Sequence, residues 1–281
     1  MATKSTEDRA REVASALRAS FGPLVRRGVR RLGYDIVRCP ARSSATVPGG
    51  GDLADVDEAT RATVEATRGL TLTSAQRVVA LCDAVRYLVA AGVPGPLVEC
   101  GVWRGGSVLA MLRTLLELGV TDRDVYLFDT FDRMPPPGDD DVDLTGTAAA
   151  TYHEQFAHGT YDHAYDYLPV DDVHALLVTT GYPDSKLHFV AGLIEQTVPA
   201  HAPQEIALLR LDTDYYTSTR HELEHLAPRL APGGVLLIDD YGHWRGSRKA
   251  TDEYLEAMAA RGTHLYLHRI DYSGRLAVLP R

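Results

Sequence analysis

From about Leu70 onward, short runs dense in Val, Ile and Leu alternate with longer stretches whose apolar positions recur every three or four residues. Uninterrupted apolar runs suit strands buried on both faces and the longer spacing suits amphipathic helices, so the alternation predicts a parallel sheet covered by helices, an α/β fold. The strands fall at Leu97–Cys100, Val125–Asp129, Leu187–Val190, Ile206–Leu211, Val235–Asp239, His264–Arg269 and Leu276–Leu279. Helices fit Ser74–Ala91, with Ser74 as N-cap, and Ser107–Leu118, Val170–Thr179, Ser218–Leu230 and Ser247–Ala260. Asp271-Tyr-Ser-Gly274 is short enough for a hairpin, so the last strand should run antiparallel to the others.

The first part of the chain reads differently. Leu17, Phe21, Leu24, Val25, Val29 and Leu32 recur at helical steps, with Gly22 and Pro23 interrupting and arginines on the remaining positions. Such a segment suits a helix packed on the main domain or on a second subunit, a basic face on an anionic membrane surface, or disorder. From Pro40 to about Asp57, Ser, Thr, Gly and Pro dominate, which marks a linker. The expected organisation is a basic amphipathic extension over 1–45, a linker and the start of a cap over 46–69, and the α/β domain over 70–281.

Charge sharpens this division. The 281 residues carry a net charge of −9, yet up to Arg42 there are ten Lys and Arg against four acids. The remainder is strongly acidic, which argues against a nucleic-acid binder. Three cysteines, Cys39, Cys82 and Cys100, match neither a zinc site nor a disulfide framework. With no apolar run long enough to span a bilayer and no secretory core, a reducing cytoplasm is the expected location.

The chemistry should sit beyond the carboxyl ends of the strands, where open α/β sheets bind ligands. Glu99-Cys-Gly101-Val-Trp-Arg-Gly105-Gly106-Ser107 forms a glycine turn between the first strand and its helix. It departs from the dinucleotide pattern G-x-G-x-x-G, and Glu99 two residues before the first glycine suits a cationic or amine-bearing cofactor. Asp129 ends the second strand, where an acid can accept bonds from ribose hydroxyls, so a nucleoside cofactor is expected. Asp212 and Asp214 end the fourth strand and Asp239 and Asp240 the fifth. Four crowded carboxylates raise one another's pKa unless a cation compensates, and hard oxygen ligands suit Mg²⁺ or Ca²⁺. A divalent ion there would lower the pKa of a substrate hydroxyl that a carboxylate or histidine then deprotonates.

Leu97-Val-Glu-Cys-Gly-Val-Trp-Arg-Gly-Gly106, Tyr126-Leu-Phe-Asp-Thr-Phe131, Leu209-Arg-Leu-Asp-Thr-Asp-Tyr215 and Gly233-Gly-Val-Leu-Leu-Ile-Asp-Asp-Tyr241 together resemble the macrocin, mycinamicin and novobiocin sugar O-methyltransferase family. The resemblance covers about Leu70 to Leu279. It implies a class I methyltransferase fold with a seven-stranded sheet, an S-adenosylmethionine site and a Mg²⁺ that holds neighbouring sugar hydroxyls. By position, Glu99, Gly101, Val102, Trp103 and Ser107 would surround the methionine end of the cofactor, Asp129 and Thr130 the ribose, and Gly192 and Leu193 the adenine. Asp212 would stand at both cofactor and metal, with Asp239 and Asp240 completing the metal ligands. Asp214 matches the general base of some members, and His158 or His163 would take that role in others. The acceptor would be a saccharide or another small molecule, a catechol-type phenol being the alternative, and the enzyme is expected to be a homo-oligomer.

Three stretches remain. Gly138-Asp-Asp-Asp-Val-Asp143 reads as a solvated acidic run or as a lid over the acceptor. Tyr152, His153, His158, Tyr161, His163, Tyr165 and Tyr167 follow, and such rings can stack on sugar faces. His221-Glu-Leu-Glu-His225 matches the zinc-binding H-E-x-x-H literally, but Leu223, Leu226 and Leu230 form the apolar stripe. The histidines should therefore face solvent, away from the cleft, and bind no catalytic zinc.

Overall fold

A computed structural model describes residues 53–157 and 167–281. The basic extension, the first part of the linker, Cys39, His158 and His163 lie outside the described residues. In chain order the elements begin with α1 (Glu58–Ala66), α2 (Ala75–Ala90), β1 (Leu97–Cys100), α3 (Gly106–Glu117) and β2 (Val125–Asp129). There follow α4 (Ala149–Ala157), α5 (Val170–Val178), β3 (Leu187–Ala191), the single turn α6 (Ile194–Thr197), β4 (Ile206–Leu211) and α7 (Tyr216–His225). The chain closes with β5 (Leu230–Ile238), α8 (Arg245–Ala260), β6 (His268–Arg269) and β7 (Arg275–Val278).

The strands form one sheet in the order β3-β2-β1-β4-β5-β7-β6. β1 to β5 are parallel, β7 pairs antiparallel with β5, and β6 pairs antiparallel with β7 across the short Asp271–Gly274 connection. Alternation along each strand sends side chains to two cores. Leu97, Val125, Leu127, Leu208 and Leu237 pack under α2 and α3, which contribute Leu81, Val85, Leu88, Met111, Leu112 and Leu115. Val98, Cys100, Phe128, Leu209, Leu211 and Ile238 meet Leu223 of α7 and Leu226 just past its end on the other face. Each such aliphatic side chain fully withdrawn from water stabilises the fold by roughly 1.5–3 kcal/mol. Ser74 caps α2 through its hydroxyl, which accepts from the Arg77 N–H at 3.2 Å.

Several expectations need correction. β5 begins at Leu230, because a register shift between Ile206 and Leu208 of β4 lets Ala231–Gly234 bulge while the strand stays paired. β6 is only two residues long and exposed, a short edge in place of the expected six-residue strand. α7 stops at His225, shortly before Pro228, which has no N–H to continue the helical ladder, and the chain turns as a 3₁₀ segment over Ala227–Arg229. α1, capped by the Asp57 side chain, follows directly on the stretch read as linker, and α4 was not foreseen. Among the described residues no helix is long and apolar enough to cross a membrane.

Candidate functional site

Beyond the carboxyl ends of the parallel strands lies a cavity of 970 Å³, at the upper end of what one drug-sized ligand needs. Gly101, Val102, Trp103, Ser107, Asp129, Thr130, Gly192 and Leu193 line it on the side of β1 to β3. Asp212, Asp214, Asp239 and Asp240 line it on the side of β4 and β5. One cleft therefore joins the glycine turn to the aspartates.

The glycine turn is set by strand pairing. The Gly101 N–H bonds the Phe128 carbonyl at 2.8 Å and the Asp212 N–H bonds the Cys100 carbonyl at 2.8 Å, so the chain threads tightly between β2 and β4. Gly101 has φ +87°, and a Cβ there would meet the Asp212 carbonyl oxygen at 2.0 Å, so no other residue fits. The Asp129 carboxylate accepts from the N–H groups of Val102 (2.5 Å), Trp103 (2.8 Å) and Phe131 (2.8 Å). Asp129 is thus first an anchor of the turn, and it borders the cavity at the same time. No side chain caps α3, and Ser107 opens its first turn onto the cleft.

Beneath the cleft, Arg210 is 3% exposed and its guanidinium gathers three carboxylates. Nη1 pairs with Glu99 and with Asp212 at 2.8 Å, and Nη2 pairs with Asp239 at 2.5 Å. Arg77 of α2 also pairs with Asp239 and, through Nε, with Asp271 at 3.0 Å. Glu99 is fully buried, does not line the cavity, and has one oxygen without a hydrogen-bond partner. It stands one residue short of the strand end, facing Arg210 across β1 and β4.

The aspartates divide by what neutralises them. Burial would raise the Asp239 pKa, but Arg210 and Arg77 outweigh it and hold the carboxyl below its ordinary value. Burial pushes Asp212 up to about 7 against the pull of Arg210. Asp214 rises to about 6, again mainly by burial. Asp240 is raised well above the carboxylate range by burial and by the charges of Asp214, Asp212 and Asp239. Oxygens of Asp212, Asp239 and Asp240 lie within 4.8 Å of one another. Two guanidinium groups leave this cluster under-compensated, and hard oxygen donors at that spacing fit a divalent cation such as Mg²⁺.

Asp214 has φ +66°, rare for a non-glycine residue. The Tyr215 N–H bonds the Thr213 carbonyl at 2.8 Å, closing a γ-turn around it, and the Asp214 N–H bonds Asp240 at 3.2 Å. The turn brings Asp214 and Asp212 to the same cavity.

The acidic run divides: Asp139 and Asp140 are exposed, as a solvated run would be, while Asp141 and Asp143 are buried. Asp141 and Asp143 are 1% and 3% exposed. Asp141 accepts from the N–H groups of Gly138 at 2.7 Å and Tyr216 at 2.8 Å, the latter in the first turn of α7. Asp143 accepts from the Tyr152 hydroxyl at 2.6 Å, and the Arg245 N–H bonds the Val142 carbonyl at 2.8 Å. The loop so tied presents an aromatic wall: Tyr152 and Tyr215 meet Trp244 edge-on at 6.0 and 5.7 Å, and His153 Nε2 lies 3.0 Å from the Tyr215 hydroxyl. Tyr152, His153, Tyr167, Tyr215, His243, Trp244 and Tyr272 all border the cavity. Only Gly246 lets the loop sit so close, since a Cβ there would stand 2.1 Å from an Asp141 oxygen. Gly246→Ala should therefore release residues 138–148, read as faster proteolytic cleavage in that loop; an unchanged cleavage rate would contradict this anchoring.

Of the residues expected at the site, Gly101, Val102, Trp103, Ser107, Asp129, Thr130, Gly192, Leu193, Asp212, Asp214, Asp239 and Asp240 share the cavity. His158 and His163 lie outside the described residues. The histidines of the H-E-x-x-H match do not line the cavity; His221 is half-buried with Nε2 donating to the Val198 carbonyl at 3.0 Å, and its ring lies 4.3 Å from that of His225. Among the described residues neither belongs to a cluster able to hold a metal. Arg77, Arg210, Trp244 and Tyr272 were not anticipated.

The strand order, the glycine turn after β1 and the acid after β2 define a class I methyltransferase fold. Residues 49–276 match the macrocin-O-methyltransferase (TylF) family, and the chain belongs to it. It is 38% identical over 157 residues to the 8-demethyl-8-(2,3-dimethoxy-alpha-L-rhamnosyl)-tetracenomycin-C 4'-O-methyltransferase of Streptomyces olivaceus, covering 56% of this chain and 57% of that one. It is 36% identical over 152 residues to the mycinamicin III 3''-O-methyltransferase of Micromonospora griseorubida, covering 53% and 56%. The chain thus spans little more than half the length of these relatives. Among solved structures, the O-methyltransferase NovP superposes with a TM-score of 0.64 at 28% identity, over 75% of this chain and 83% of that one. A calicheamicin methyltransferase, at 20% identity and TM-score 0.56 over 82% and 97% of the two chains, shares the fold.

Proposed function

We propose that the protein transfers a methyl group from S-adenosylmethionine to a hydroxyl of a sugar carried by a small-molecule natural product, with Mg²⁺ bound at Asp212, Asp239 and Asp240. The observation that carries this reading is the single cleft in which the glycine turn, the under-compensated aspartates and an aromatic wall meet. The names of the relatives, which describe methylation on glycosylated compounds, support the acceptor class.

When bound, S-adenosylmethionine supplies an electrophilic methyl and Mg²⁺ makes a coordinated acceptor hydroxyl more acidic. The chain's own residues do the positioning. Gly101 to Trp103, held by Asp129, form the floor of the cofactor side. Asp214, whose pKa of about 6 leaves it largely ionised at neutral pH, takes the proton from the acceptor oxygen. Trp244, Tyr215 and Tyr152 give the acceptor apolar faces to lie against and exclude water from the reacting atoms.

The test is methyl transfer by the full chain from labelled S-adenosylmethionine, with glycosylated polyketides and free catechols offered side by side, in Mg²⁺ and in EDTA. Label should enter the glycoside, and only with Mg²⁺. Full turnover in EDTA would remove the metal from the reading, and label confined to the catechol would replace the acceptor.

A further inference from the structure

The glutamate of the H-E-x-x-H match is the most buried residue of α7, and the zinc reading gives no reason for it. Ser218, Thr219, Glu222, Leu223 and Leu226 form the inward stripe of the helix, and Glu222 is 0% exposed. A carboxyl taken wholly from water is costly unless it is bonded. Its oxygens lie 3.0 and 3.1 Å from the hydroxyl of Thr213, the residue between Asp212 and Asp214. Among the described residues no cation pairs with it. Burial raises its pKa well above the ordinary value against the pull of the Thr213 hydroxyl, and the nearby Glu195, Asp212 and Glu99 push upward as well. Ser218, one helical turn earlier, shares its Oγ proton between the Tyr215 carbonyl at 3.1 Å and the Thr213 carbonyl at 3.2 Å. Thr213 is therefore gripped from beneath at two points, carbonyl and hydroxyl, by consecutive turns of one helix.

The residue so gripped precedes Asp214, whose γ-turn is a strained conformation that persists only where its surroundings hold it. From the cleft side the turn is held by the 3.2 Å bond between the Asp214 N–H and Asp240. From the core side it is held by Ser218 and Glu222.

We infer that Glu222 is a positioning residue for methyl transfer: by holding the Thr213 hydroxyl it keeps Asp214 in the turn that aims its carboxylate at the acceptor. The inference rests on the function proposed above for Asp214. It separates two quantities that a purely structural residue would move together. Replacing a buried, singly bonded acid by an apolar side chain of similar size removes a burial cost, so stability should hold or rise while turnover falls.

The test compares Glu222→Leu, Glu222→Gln and Thr213→Val in the full chain. Glu222→Leu should lower kcat by about tenfold or more, since displacement of a reacting group by about 1 Å costs up to roughly a hundredfold. Its melting temperature should not drop, and its dissociation constant for S-adenosylmethionine should stay within about twofold, well under the tenfold that 1.4 kcal/mol would bring. Glu222→Gln, which can still bond the hydroxyl, should restore most of kcat. Thr213→Val should match Glu222→Leu, with little further loss in the double variant. Hydrogen exchange at the Tyr215 amide, which needs no turnover, should quicken in Glu222→Leu and not in Glu222→Gln. Unchanged exchange there, additive losses, or a kcat equal to wild type would overturn the inference. If the wild-type protein methylates no acceptor, the proposed function fails, and the exchange measurement still decides whether Glu222 holds the turn.

Discussion

Asp240→Asn should lower kcat for methyl transfer by about two to three orders of magnitude, the scale set by losing a group that stabilises charge at the reacting atoms. Affinity for Mg²⁺ should fall in parallel, while affinity for S-adenosylmethionine stays near wild type. Asp240 is a sharper probe than its neighbours because of how each carboxylate is neutralised. Asp239 is paired with both Arg210 and Arg77, and Asp212 with Arg210, so truncating either one disturbs the buried ion network as well as the cation site. Among the described residues no arginine forms an ion pair with Asp240, and its carboxylate accepts from the Asp214 N–H. An asparagine oxygen can accept the same bond, so the turn survives while a charged ligand is lost. Titration calorimetry for each ligand and steady-state kinetics across Mg²⁺ concentrations would read this out. Turnover and Mg²⁺ affinity equal to wild type would exclude Asp240 as a metal ligand.

How much of this arrangement the sequence discloses depends on whether a residue acts through its strand position or through packing. Asp129, Asp212, Asp239 and Asp240 stand at or just past the ends of buried strands, and parallel connection alone brings such ends to one edge, so their gathering was legible. The pairing of Glu99 with Arg210 was not foreseen, because motif spacing does not say whether the acid lies at the strand end or one residue inside it. The signal for that pair is in the two strands themselves. Leu97-Val-Glu-Cys and Ile206-Ala-Leu-Leu-Arg-Leu each hold one charge in an apolar run, of opposite sign, and in the sheet Glu99 and Arg210 lie opposite each other. The burial of Asp141 and Asp143 within the otherwise exposed acidic run was not legible, because it comes from backbone amides of distant elements, Tyr216 and Arg245, which no local pattern reveals. Glu222 was hidden for the same reason: it is a polar residue on an apolar helix face, and its purpose appears only when Thr213 is above it.

Arg210→Met should lower the melting temperature by about 6–20 °C. Removing one partner from a buried ion pair costs about 3–5 kcal/mol because it strands the remaining charge, and a domain of this size loses roughly 2–4 °C per kcal/mol. Here three carboxylates, those of Glu99, Asp212 and Asp239, lose one shared guanidinium. Glu99 suffers most, being wholly buried with one oxygen already unpartnered, whereas Asp239 keeps Arg77 and Asp212 borders the cavity. That ranking gives a second measurement. Arg210→Met combined with Glu99→Leu replaces a buried ion pair by apolar side chains, an exchange often close to neutral, so the double variant should recover more than half of the lost melting temperature. Thermal unfolding of the two single variants and the double, followed by circular dichroism, supplies the cycle. A melting temperature for Arg210→Met within about 2 °C of wild type, below what even 1 kcal/mol produces in a chain of this size, would mean that the guanidinium is not what offsets these charges.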